Sequence, residues 1–344
     1  MRILWLGFLL GAGFCTQALA EPQEDWPACA TNNDQAAIAA CTRLIESGQL
    51  TVEESSRAFH HRGRAYRSTL KFDRAIADYN EAVRLKPDYG DALLDRADAF
   101  IGKNKLDRAI ADYSEAIRLQ PDNAAAFFNR GLAYVMNREG NRAIADYDEA
   151  IRLNPDYADA FYARGNSFVR QHEYDRAIAD YDEAIRLKPD HVNVFNARGR
   201  AYDRKGAYER AIIDFNETLR LKPDHDEAFY NRGFVYAEKG EYDQAIADFS
   251  ERVRSWGATI KHLYDKAVAA NDPPVLLRLH RLGLTRVSDG DYDRAIVELS
   301  EKIGSKPDDA MLFVGRAVAY YKKGDRNRAI ADLVQARKIE QKWW

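Results

Sequence analysis

The sequence predicts an all-α solenoid of helix-turn-helix hairpins, and three observations carry that expectation. A block of 34 residues recurs: RAIADYNEAVRLKPD begins at Arg74 and returns with small changes at Arg108, Arg142, Arg176 and Arg210. Its small and aromatic landmarks fall three, four and seven residues apart within two stretches of each block, which is helical spacing. The second stretch always stops at a proline (Pro87, Pro121, Pro155, Pro189, Pro223), which cannot continue a helix and disfavours helix in the residue before it. A fixed period of this length marks units that bury their apolar faces only by stacking.

The amino end differs in kind. Arg2 precedes an apolar run, Ile3 to Phe14, and Ala18-Leu19-Ala20 is a small-x-small cleavage signal before Glu21. That is the layout of a secretory leader cut after Ala20, the alternative being a retained anchor. Export implies a periplasmic or secreted protein, oxidising surroundings and a bridge between Cys29 and Cys41, worth about 3 kcal/mol in the chain-entropy model; two buried free thiols are the other reading. Residues 21–55 read as an amino-terminal helical cap: an extended start, a helix from about Asp34 to Glu46, and a capped second start at Thr51-Val52-Glu53-Glu54.

Units begin at Ser56, Gly90, Ala124, Ala158, Val192 and Asp226, giving 56–89, 90–123, 124–157, 158–191, 192–225 and 226–254. Position 8 is small (Gly63, Ala97, Gly131, Gly165, Gly199, Gly233) and position 11 aromatic (Tyr66, Phe100, Tyr134, Phe168, Tyr202, Tyr236). Position 20 is always alanine (Ala75, Ala109, Ala143, Ala177, Ala211, Ala245) and position 24 again aromatic (Tyr79, Tyr113, Tyr147, Tyr181, Phe215, Phe249). Small residues at 8 and 20 let two helices approach closely, and the aromatics are expected to fill the gap between one hairpin and the next. This pattern over roughly 56–342 resembles the tetratricopeptide repeat family. The resemblance implies a right-handed superhelical solenoid whose ligands lie along the first helices, at positions 2, 5, 9, 12 and 13.

The register breaks once. Gly257 stands where a sixth closing proline belongs, and Pro307 follows Pro223 by two periods plus 16 residues. The surplus defines an irregular joint at 255–275; two further units then span 276–344, with Trp343 and Trp344 either folded back over the last hairpin or exposed.

Chemistry is sparse. Position 7 is arginine (Arg62, Arg96, Arg130, Arg164, Arg198, Arg232) and position 23 aspartate (Asp78, Asp112, Asp146, Asp180, Asp214, Asp248). Recurrence in every unit favours a scaffold ladder over an anion site, since a substrate site occurs once. Asp148/Arg152 and Asp182/Arg186 read as helix-surface partners four apart. His172-Glu173 lacks the second histidine of a zinc-protease helix, and His191 and His225 read as turn residues. No phosphate loop or nucleophile elbow is present, so no catalytic residue, metal ligand or cofactor is assigned. Without the leader, 50 basic side chains face 54 acidic ones, a balance unlike that of nucleic-acid binders; no other stretch is long enough to span a membrane.

Residues that vary between units at the ligand positions carry the functional information. The first unit offers Arg57, His60, Arg64 and Arg67, and the third Phe128, Leu132, Val135 and Met136. The fourth and fifth add Tyr162, Asn166, Arg170, Arg200 and Arg204. An apolar and aromatic strip flanked by arginines suits a peptide groove, so Phe128, Met136, Tyr162, Asn166, Arg170, Arg200 and Arg204 are the candidate ligand-binding residues; packing of Phe128, Leu132 and Val135 against the adjacent hairpin is the alternative. The family's carboxylate clamp is not reproduced: Asn129 is in place, but His60 with Arg64, or Leu94 with Asp98, precedes it, and Asp159 and Ala163 stand where basic residues belong. The expected function is a non-enzymatic peptide- or protein-binding scaffold of the bacterial envelope. Alternatives are an accessory subunit of an envelope enzyme or secretion machine, binding through the convex face or the joint, and an unrecognised hydrolase.

Overall fold

A computed structural model describes residues 25–31, 34–254, 287 and 290–342. The leader, the joint at 255–275 with Gly257, most of 276–289, and Trp343 with Trp344 lie outside the described residues. Every described element is a helix, and the helices fall into two compact units, one ending at Arg138 and one beginning at Glu139.

The first unit contains α1 (Asp25–Cys29), α2 (Asp34–Glu46), α3 (Val52–Ser68), α4 (Phe72–Leu85), α5 (Gly90–Gly102), α6 (Leu106–Leu119) and α7 (Ala124–Met136). The start expected to be extended is instead the short helix α1, held to α2 by the Asp25–Arg43 ion pair. Cys29 of α1 faces Cys41 of α2, with Cα atoms 4.8 Å apart, inside a small core with Ala40 and Leu44. Thr51 starts α3 with a capping box: its Oγ1 accepts from the Glu54 backbone N–H at 3.2 Å, and its own N–H donates to Glu54 Oε2 at 2.9 Å.

The second unit contains α8 (Gly140–Leu153), α9 (Ala158–Arg170), α10 (Tyr174–Leu187), α11 (Val192–Arg204), α12 (Tyr208–Leu221) and α13 (Asp226–Glu238). It continues with α14 (helical over 242–254), α15 (Tyr292–Ser305), α16 (Ala310–Lys322) and α17 (Arg326–Lys342). The second helices α4, α6, α8, α10 and α12 each end two residues before a proline. Lys86, Gln120, Asn154, Lys188 and Lys222 hold φ near −135°, the extended backbone that a following proline imposes. His225 caps α13, its Nδ1 accepting from the Ala228 N–H at 3.2 Å.

Packing inside each hairpin turns on the small residue at position 8. A Cβ added to Gly63, Gly165, Gly199 or Gly233 would lie 2.6, 2.7, 2.7 or 2.8 Å from the ring of Tyr79, Tyr181, Phe215 or Phe249. The position-24 ring therefore lies first against the glycine of its own hairpin. The sequence reading placed it only between hairpins; it does that too, as Tyr181 joins Val194 and Ala201 of the following hairpin in one core. The alanines at position 20 are fully buried beside these rings.

The turn between the two helices uses left-handed backbone at one fixed place. Gly206, Gly240, Gly290 and Gly324 occupy it with φ from +71° to +84°, but Leu70, Asn104, Arg138 and His172 adopt it at φ +56° to +62°. Non-glycine residues pay about 1–2 kcal/mol there. Leu70 is also 73% exposed, so Leu70→Gly should raise stability by about 1 kcal/mol, read as a higher denaturant midpoint. Gly165→Leu should cost about 1–3 kcal/mol or more by overpacking against Tyr181, with Gly165→Ala costing less, since Ala97 stands at that place in the second hairpin. Equal melting temperatures for Gly165→Leu and the parent would refute the close-contact account.

Candidate functional site

The repeated arginines are committed to the scaffold. Arg96 binds Asp112 through two bonds of 2.7 Å, and Arg62–Asp78, Arg164–Asp180, Arg198–Asp214, Arg232–Asp248 and Arg316–Asp332 repeat the geometry at 2.6–2.9 Å. The third nitrogen reaches the preceding hairpin: Arg96 to Asn80 at 2.9 Å, Arg164 to Asp148 and Arg198 to Asp182 at 2.5 Å, Arg316 to Ser300 at 2.9 Å. Asp148 and Asp182 are thus not the partners of Arg152 and Arg186, as their spacing suggested. Those arginines pair three residues back, with Glu149 and Glu183 at 2.6 Å, because the aspartates face the neighbouring arginine instead.

In the first unit the basic set of α3 meets acids on α5. His60 Nε2 lies 2.7 Å from Asp95 and its Nδ1 2.9 Å from the Tyr89 hydroxyl, while Arg67 binds Asp95 at 3.1 Å and Asp98 at 2.5 Å. Burial works to raise Asp95, but the His60 bond and the charges of His60, Arg67 and Arg64 hold it below the usual carboxylate range. Asp98 ends above that range, since burial there outweighs the Tyr113 and Arg67 bonds. Burial, then the charges of His60, Arg64 and Arg57, lower His61 to about 4 and leave it neutral. Phe128 is half-buried on α7, and Met136 is exposed at that helix's end.

The remaining predicted residues sit on first helices of the second unit. Tyr162 of α9 is half-buried, its ring 5.3 Å from His191 and 6.1 Å from Tyr181. Asn166 accepts the Tyr181 hydroxyl at 2.8 Å, and Arg170 is exposed. Tyr162 therefore contributes to packing. Arg200 and Arg204 of α11 line a cleft of about 400 Å³ with Asp203, Tyr230 and Asn231, and its far wall is α17. Burial lowers the Arg204 guanidinium, with the charges of Arg337 and Arg200 adding to it and Asp203 opposing.

That wall was not foreseen. Arg337 of α17 donates to both Asp203 oxygens at 2.9 and 3.0 Å and to Glu238 at 2.9 Å, with its side chain 13% exposed, and Tyr230 donates to Glu340 at 2.6 Å. Asp203 and Arg337 lie 134 residues apart, so no periodicity announces the contact. Among the described residues no group of three or more His, Cys, Asp or Glu is placed to hold a metal ion, and no helix is long and apolar enough to cross a membrane.

Comparison with known families matches two repeat models: "Tetratricopeptide repeat" over residues 60–113, 162–226 and 214–257, and "TPR repeat" over 97–137 and 141–172. Among solved structures, PilF of Pseudomonas aeruginosa is 16% identical with a TM-score of 0.52, covering 67% of this chain and 98% of that one. MamA is 28% identical (TM-score 0.47; 50% and 93% covered). YrrB, described as a TPR protein with an unusual peptide-binding site, is 21% identical (TM-score 0.48; 59% and 99% covered). A search of curated proteins gives no match.

Removing Arg337 strands two acids in a half-closed cleft. Arg337→Ala should cost about 3 kcal/mol, and Asp203→Asn with Glu238→Gln in the same chain should recover a large part of that loss. A double-mutant cycle read by denaturant unfolding checks this; strictly additive effects would dissolve the pairing.

Proposed function

We propose that this chain, a member of the tetratricopeptide repeat family, is a non-enzymatic scaffold that binds a peptide segment of a partner protein along α9 and α11. The carrying observation is the division of labour among the charged groups. The repeated arginines are held in the scaffold, whereas Arg170 is exposed and Asn166, Arg200 and Arg204 line the first-helix face. Tyr162 supplies a rigid aromatic anchor of the kind on which binding energy concentrates. A net charge of −3 on the full chain supports a protein partner rather than nucleic acid. The contact of α17 with α11 and α13 supports a groove that begins at α9 and ends at Arg337.

The compartment belongs to the same proposal. The apolar run Ile3–Phe14 with Ala18-Leu19-Ala20, together with the Cys29–Cys41 pair, supports export to the bacterial envelope and a bridged cap. Binding instead through the second helices, as an accessory subunit of an envelope machine, is what the test must separate.

A photo-crosslinking residue at Asn166 should capture a defined partner from envelope extract, and one at Glu183 of α10 should not. Arg170→Ala should weaken that capture several-fold without changing the melting temperature, because Arg170 is exposed. Capture from Glu183 alone would transfer the function to the second-helix face.

A further inference from the structure

The helix α17 is seated on the fifth and sixth hairpins where a ligand would lie. Position 12 of the fifth hairpin is Asp203, and positions 5, 9 and 13 of the sixth are Tyr230, Phe234 and Glu238. All four meet α17. Arg337 donates to Asp203 and Glu238 and stands 5.5 Å from the centre of the Phe234 ring, and Tyr230 donates to Glu340. A regular stack brings each hairpin against its immediate neighbours. This contact ties α17 to helices two and three hairpins back, so it is not the next step of the repeat.

The first helix of the last hairpin is changed to match. Positions 2, 5 and 9 of α16 are Met311, Val314 and Val318, only 8%, 0% and 2% exposed. The fifth hairpin has Asn193, Asn196 and Arg200 there. The three apolar residues of α16 share one core with Phe234, Ile246 and Phe249 of the sixth hairpin. Around that core, Tyr321 donates to Asp243 at 2.8 Å, and Arg337 holds its two acids. An apolar centre with a polar rim is the anatomy of an interface between chains. Here both sides belong to one chain, on segments that sequence keeps apart: the first ends at 254 and the second begins at Tyr292.

We propose that α15–α17 exchange between two copies of this chain, each copy's C-terminal helices docking on α11, α13 and α14 of the other to give a closed dimer. The exchange rebuilds both contacts with the same residues, so none is lost in sum. What opposes it is the entropy of association, and concentration decides the balance. A reciprocal exchange leaves no docking face unused and stops at two copies. The proposal stands whether or not a peptide binds along α9 and α11.

Two full-length variants test it, Glu238→Cys and Gln341→Cys. The Gln341 side chain donates to Glu238 at 3.4 Å, and both residues are exposed. The variants are unfolded in urea, mixed, refolded together and treated with a short bismaleimide. A dimer carrying a linked 238–341 pair is expected. The parent chain, refolded at rising concentration, should show by light scattering a growing fraction of twice the monomer mass. A single chain carrying both changes should close on itself when refolded dilute, which reports the contact within one copy. If that chain closes while the mixture gives no 238–341 dimer, the contact is confined to single copies and exchange is refuted. If it does not close, the docking itself is refuted. A ladder of larger species from the parent would mean open-ended association in place of reciprocal exchange, and overturns the proposal as well.

Discussion

The stack depends on one three-way contact. The position-7 arginine places two nitrogens on the aspartate at position 23 of its own hairpin and the third on a side chain at position 25 of the one before. A planar guanidinium with donors on fixed edges does this; a lysine, as a flexible point charge, has no equivalent. The acceptor there varies as Asn80, Ser114, Asp148, Asp182, Asn216 and Ser300, with Thr42 of the cap, 20 residues back, serving Arg62, yet it always carries an oxygen. Half-buried ion pairs contribute little net stability, because desolvation offsets much of their attraction. What the contact supplies is geometry: it sets the crossing of two helices and the step to the neighbour with the same side chain.

Once that crossing is set, the space between the helices at position 8 takes no side chain larger than the methyl of Ala97, and four other hairpins place Gly63, Gly165, Gly199 and Gly233 there. The glycine there and the ring at position 24 are one structural decision, visible in the 2.6–2.8 Å that a Cβ would leave. The ring's far edge then emerges beside position 9, a first-helix position free of the crossing. In the second and fourth hairpins the ring is structural and its hydroxyl is answered by the residue at position 9. Asp98 and Asn166 answer it internally.

Most of the fold was legible because the solenoid's contacts are local and repeat with the period. The helices at Asp34–Glu46 and Val52, the proline stops and the Arg–Asp ladder all follow from spacing. Three things were not legible for definite reasons. Asp148 and Asp182 were assigned within their helices, since spacing of four on one helix is visible and a contact between hairpins is not. The aromatic–glycine contact was misplaced because period gives proximity along a helix, not which neighbour a ring meets first. The docking of Arg337 onto Asp203 and Glu238 has no periodic signal, as it joins elements on either side of a break in register. Of the candidate site, Arg200 and Arg204 do share a cleft with α17, whereas Tyr162 and Asn166 are partly absorbed into packing against Tyr181.

The α17 contact changes what the first-helix face can accept. In an open array, every first helix extends the same surface, and ligand length is limited only by the number of hairpins. Here the acids Asp203 and Glu238 are already bonded to Arg337, and Tyr230 is already bonded to Glu340. A ligand running along α9 and α11 therefore meets a polar wall at α13 rather than more groove. On the proposed reading, a surface with one end closed discriminates between segments by where they must stop, a selectivity that the nearly identical repeats do not provide by themselves. The arginines beside that wall, with Arg204 destabilised as a cation by burial and by Arg337, favour a ligand group that brings negative charge to the closed end.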